Sequence, residues 1–172
     1  IRIPPSYPAT SRPKLRPSSR ERTSSPSSYY RRLEPFPPRS PLSNDMFERA
    51  FADRPTIIYF HGNAGSRASR SRIRSYSSLS TYPDCNVLAI DYRGFGDSTG
   101  TPSEAGLLLD ARAAWDYVSS HLGKDSAEDK VLLIGQSLGT GVVAGLAGQL
   151  ADERPLRFLS SSRVDGTDVA VC

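Results

Sequence analysis

The chain has 172 residues, 37% of them apolar, with 22 Lys and Arg against 18 Asp and Glu and a formal net charge of +4. That length suffices for one domain with a buried core. Two cysteines are too few for a disulfide framework, and no apolar run reaches the roughly 20 residues that a membrane-crossing helix needs.

The charge is unevenly distributed. Residues 1–45 hold ten of the fourteen prolines, ten serines, and nine Lys or Arg against three Asp or Glu, a net of +6. Residues 46–172 carry thirteen against fifteen, a net of −2. Stretches such as SRPKLRPSSRERTSSPSSYYRR offer too little apolar surface to offset chain entropy, which predicts a disordered leader over 1–45. Its arginines with Tyr29, Tyr30 and Phe36 suit a contact with nucleic acid or anionic lipid, or a solvated tail of phosphorylatable serines. The solvated tail is preferred because Pro/Ser/Arg tracts are common linkers, so no nucleic-acid partner is expected. The chain opens on Ile1 rather than Met and shows no secretory signal pattern. Its true start is expected upstream, and a reducing compartment is the default for Cys85 and Cys172.

From residue 55 the pattern changes. PTIIYFHG reads as a short buried strand opening into a loop, NVLAID (86–91) as a second strand and KVLLIG (130–135) as a third, all apolar runs of the parallel-sheet type. Between the first two, Ile73, Tyr76 and Leu79 at helical spacing predict a helix. Between the second and third, Thr101-Pro102-Ser103-Glu104 reads as a capping box with threonine as N-cap and proline at the first helical position. Leu107, Ala111, Ala114, Val118 and Leu122 then mark one buried face, and Gly123 stops the helix. The alternation of strand and helix predicts an α/β fold, a parallel sheet with flanking helices.

On that scaffold GQSLG (135–139) has a specific meaning. A serine between glycines, set between a buried strand and a helix, matches the nucleophile elbow, in which Gly135 and Gly139 let the backbone turn sharply and Ser137 projects its Oγ above the sheet. The turn also places Ser137 at a helix N-terminus, where free N–H groups stabilise an oxyanion. HGNAG (61–65) follows the first strand in the place where α/β-hydrolases carry the loop that contributes the other oxyanion N–H, and that resemblance implies the backbone amides of Leu138 and Asn63 as donors and Gly62 as a loop glycine. A phosphate loop is disfavoured because the Gly-Lys-Ser/Thr ending is missing. GFGDSTG (94–100) is read as a surface loop.

Together, IIYFHGNAGSRAS, NVLAIDYRGFGDSTGTPSEAGLLLDARAAWDYV and VLLIGQSLGTGVV closely resemble the α/β-hydrolase domain proteins of the membrane-associated lysophospholipase and monoacylglycerol lipase branch, whose relatives include protein depalmitoylases. The resemblance covers residues 54–153, leaving 154–172 as a divergent tail. It implies that Ser137 is the nucleophile of an acyl ester or thioester hydrolase, working through an acyl-enzyme without metal or cofactor. It also implies a lipid or acyl-protein substrate and association with a membrane surface. The same fold orders its triad serine, acid, histidine. None of the thirty-five residues after Ser137 is a histidine, and the carboxylates that follow, Asp152, Glu153, Asp165 and Asp168, sit after no clear strand. The tail does not resemble the next strand of the family, so the expectation is a C-terminally truncated member with open apolar edges on the outer strands. His61 lies in the oxyanion loop and His121 near a helix C-terminus, and neither is expected to serve as the base. Two readings follow: a serine hydrolase that is catalytically incomplete in this chain, and a non-catalytic remnant acting through binding.

Overall fold

The computed structural model describes residues 23–24, 43–122, 127, 129–153, 160–164 and 167–171. Most of the leader, including Tyr29, Tyr30 and Phe36, lies outside them, as do Gly123 and Cys172.

Three parallel strands form the centre. β2 (Thr56–Phe60) lies between β3 (Asn86–Ala89) and β4 (Val131–Gln136), with Thr56 opposite both Asn86 and Val131. All of β2 is buried, as a central strand covered on both faces must be. Its side chains alternate between two cores. Ile58 and Phe60 pack with Leu107, Ala114, Val118, Val143 and Leu146 on one face, while Ile57 and Tyr59 pack with Tyr76 on the other.

The outer strands differ from expectation. β1 (Thr23–Ser24) pairs antiparallel with β3, and β6 (Thr167–Val171) pairs antiparallel with Ile134–Gln136 of β4 and with β5 (Ser160–Val164). The expected open edges are therefore partly paired. Antiparallel addition needs no crossover helix, so a short polar tail can supply a strand that carries no parallel-strand signature.

α1 (Asn44–Asp53) has no signal in the sequence beyond a composition shift. Ser43 caps it, its Oγ accepting from the Met46 N–H at 3.3 Å, and Ala50 and Phe51 are buried. α2 (Arg70–Thr81) turns Arg72, Tyr76 and Ser80 inward, an i, i+4, i+8 stripe. Ile73, expected on that face, is 47% exposed because it lies one residue, about 100°, around the helix.

α3 (Glu104–Leu122) buries Leu107, Ala111, Ala114 and Val118 as expected. Its cap is Ser103 rather than Thr101: Ser103 Oγ accepts from Gly106 N–H at 3.1 Å and its carbonyl from Leu107 N–H at 2.8 Å. The position three residues past this cap is Gly106, which has no side chain to return the capping-box bond. α4 (Leu138–Glu153) packs against α3 closely enough that a Cβ on Gly145 would strike the Leu108 side chain. Among the described residues, no helix is long and apolar enough to cross a membrane.

Candidate active site

Ser137 sits between β4 and α4 with φ 51°, in the left-handed region that side-chain-bearing residues rarely adopt. The surroundings enforce it. A Cβ on Gly135 would overlap the carbonyl of Gly139, and a Cβ on Gly139 would overlap the carbonyl oxygen of Phe60 in β2. The turn is as tight as two glycines permit, and Ser137 is exposed at its apex. The Ser137 carbonyl accepts from Thr140 N–H at 2.8 Å and Thr140 Oγ1 at 2.6 Å, so the serine also caps α4. Leu138 opens that helix, where N–H groups have no intrahelical partner and the helix dipole is positive.

The loop after β2 lies against this turn. A Cβ on Gly62 would stand 3.4 Å from Ser137 Cβ and 3.3 Å from the Gln136 carbonyl, while Asn63 next to it is exposed. The structure thus brings Ser137 and Gly62 into contact range, with Asn63 and Leu138 each one residue further on. Asp91, just past the end of β3, organises the base of the loop. His61, 1% exposed, places Nε2 3.0 Å from Asp91 Oδ1 and Nδ1 2.8 Å from the Gly62 carbonyl. Asp91 also accepts from Arg67 N–H at 2.6 Å and pairs with the Arg67 guanidinium, which reaches Asp97 at 3.1 Å. Burial would raise the Asp91 carboxyl, but the His61 hydrogen bond and the Arg67 amide and guanidinium outweigh it and hold the group below the usual aspartate range. Gly96, at φ 54°, belongs to the same cluster, because a Cβ there would overlap the Asp91 carboxylate. Tyr92 Oη donates to the His61 carbonyl at 2.9 Å, and burial pushes its phenol pKa up.

One residue of the site belongs to no motif in the sequence. Arg72, 6% exposed, donates from Nη2 to the carbonyls of Gly62 at 3.0 Å and Ala64 at 2.6 Å, and from Nη1 to that of Ser66 at 2.7 Å. Its Nε reaches Gln136 Oε1 at 3.4 Å. The only signal for it is the spacing Arg72, Tyr76, Ser80, which places the arginine on the buried stripe.

The second histidine is engaged elsewhere. His121 Nδ1 lies 2.7 Å from the Tyr117 carbonyl and its ring packs 5.4 Å from that of Phe51. Glu153, at the end of α4, pairs with Arg112 at 2.5 and 3.0 Å. Asp152 is exposed, Asp165 lies outside the described residues, and Asp168 lies within β6.

A model of the α/β hydrolase fold family matches residues 55–161. The chain belongs to that family. Among α/β-hydrolase relatives, it is 41% identical over 107 residues to the lysophosphatidylserine lipase ABHD12 of Rattus norvegicus, covering 62% of this chain and 26% of that protein. It is 40% identical over 110 residues to ABHD12 of Danio rerio, covering 63% and 27%. It is 42% identical over 101 residues to protein bem46 of Schizosaccharomyces pombe, covering 58% and 32%. The matched segment thus spans between about a quarter and a third of these relatives.

Proposed function

We propose that this α/β-hydrolase chain carries the nucleophile and oxyanion half of a serine hydrolase acting on acyl esters or thioesters. The observation that carries the reading is the exposed Ser137 at φ 51° on a turn whose two flanking glycines admit no side chain. Ser137 Oγ attacks the acyl carbonyl. The oxygen takes on the negative charge and is stabilised by the Leu138 and Asn63 amides, as preorganised donors at a helix start and a fixed loop can do. Collapse of this intermediate breaks the bond to the alcohol or thiol and leaves an acyl-serine, which water then hydrolyses. The similarity to a protein named as a lysophosphatidylserine lipase favours a lipid ester as substrate.

The proton on Oγ needs an acceptor, and neither histidine offers one. Both ring nitrogens of His61 lie within 3.0 Å of other oxygens, and His121 Nδ1 is turned to Tyr117. The half-site therefore depends on a base that these residues do not provide. That same observation favours the second reading, a non-catalytic domain acting by binding, and one experiment separates the two. The chain is incubated with p-nitrophenyl butyrate and its intact mass followed. Without a base, deacylation is slow as well, so the expected result is one butyryl group accumulating on Ser137 with negligible turnover. Absence of the adduct, or an equal adduct in Ser137→Ala, selects the binding reading.

A further inference from the structure

We propose that Arg72 is a positioning residue that aims the oxyanion amide of the loop after β2. The inference rests on the serine-hydrolase reading above and adds a residue to it.

In a trans peptide the C=O and the N–H point in opposite directions. The Gly62 carbonyl belongs to the same unit as the Asn63 N–H, and it is held from one side by Arg72 Nη2 at 3.0 Å and His61 Nδ1 at 2.8 Å. The Asn63 N–H is thereby fixed pointing away from both. The Ala64 carbonyl, at 2.6 Å from the same Nη2, and the Ser66 carbonyl, at 2.7 Å from Nη1, fix the next two turns of the loop in the same way. One planar fork thus sets three carbonyls that a flexible Gly-containing loop would otherwise leave free to rotate.

The charge matters as well as the shape. The ion pairs among the described residues do not include Arg72, so this buried cation is compensated by carbonyl dipoles. Burying a guanidinium without a carboxylate is unfavourable for stability alone, which points to a role in the site. A donor that pulls on the Gly62 carbonyl also polarises that peptide and makes its N–H a stronger donor. The weaker contact from Nε to Gln136 Oε1, at 3.4 Å, joins the loop to the residue before Ser137, so the same side chain braces both halves of the oxyanion site.

The test uses the full chain, with Arg72→Lys and Arg72→Met compared to wild type and to Ser137→Ala. Two quantities are read. The first is slow phosphonylation of Ser137 by a fluorophosphonate, resolved into the maximal rate and the probe concentration at half-maximum. In the absence of a base, that rate reports the oxyanion donors. The second is hydrogen exchange of the Ser66, Arg67 and Ser69 amides, which are hydrogen-bonded within the loop region.

Arg72→Lys keeps the charge but not the fork. It should fold, lose roughly 10-fold or more in maximal rate with the half-saturating concentration little changed, and exchange faster at those amides, while Arg72→Met loses more. A maximal rate within twofold of wild type in variants whose loop exchanges faster would overturn the positioning role, and so would unchanged exchange in both variants. Failure of the serine reading looks different. In that case wild type is itself no more reactive than Ser137→Ala, and Arg72 is reduced to a brace of the fold.

Discussion

Gly139 of α4 lies so close to Phe60 of β2 that any side chain on it would overlap the Phe60 carbonyl oxygen. This contact seats the start of α4 on the central strand and, with Gly135 pressed against Gly139 itself, leaves Ser137 its positive φ. Gly139→Ala and Gly135→Ala should each destabilise the chain by about 1–3 kcal/mol or more, since backbone cannot move aside as a flexible side chain can. Gly141 and Gly148 lie in the same helix, where a Cβ added to either would meet nothing within 4 Å. Their alanine variants should be neutral or stabilise by about 0.5–1 kcal/mol. Urea unfolding of the four variants checks the contrast.

The Asp91 cluster predicts a pH dependence. Its carboxyl is held below the ordinary aspartate range when folded, so its contribution is present above the unfolded pKa of about 3.9 and is lost as pH falls through the lower folded value. Asp91→Asn takes the buried carboxylate from His61 and leaves Arg67 only the exposed Asp97, and should cost up to about 3–5 kcal/mol at pH 7. The gap between wild type and the variant should narrow below about pH 4. Unfolding free energies measured from neutral pH down to about pH 3 test the sign, and a gap that widens on acidification contradicts it.

The start of α3 gives a smaller, cleaner prediction. Ser103 is the cap, so Ser103→Ala should lose about 1 kcal/mol while Thr101→Ala stays near neutral. Thermal melts of the two variants decide between the observed cap and the one that the sequence pattern suggests.

The sequence and the structure agree where one physical signal dominates. Ile57 to Phe60, Val87 to Ala89 and Val131 to Gly135 are apolar runs with no other use than a buried sheet, and GQSLG between strand and helix permits few backbone paths. Agreement fails where a residue has two equally good local explanations. Arg72 looks like its neighbours Arg70 and Arg74, and only the packing of α2 shows that it faces inward. Thr101 and Ser103 both suit a cap, and the choice depends on how the loop after Gly94 folds back, where Gly94 itself is held against Pro102. β1 and β6 add to the sheet through backbone pairing, which polar sequence neither demands nor forbids. The histidines are readable as types but not as partners, because the contact of His61 with Asp91 joins residues thirty positions apart.

On the proposed reading Ser137 is the nucleophile and neither His61 nor His121 activates it, and one rate bears on both statements. It is the rate at which a fluorophosphonate labels the purified chain, with Ser137→Ala, His61→Ala and His121→Ala alongside. An oxyanion site without its base retains roughly 10³–10⁴-fold over water, against a loss on the order of 10⁶ for a missing triad histidine. Labelling should therefore be slow, abolished in Ser137→Ala and unchanged in His121→Ala. Rapid, stoichiometric labelling at micromolar probe that disappears in His61→Ala or His121→Ala would contradict this, and labelling that survives Ser137→Ala would remove the nucleophile altogether.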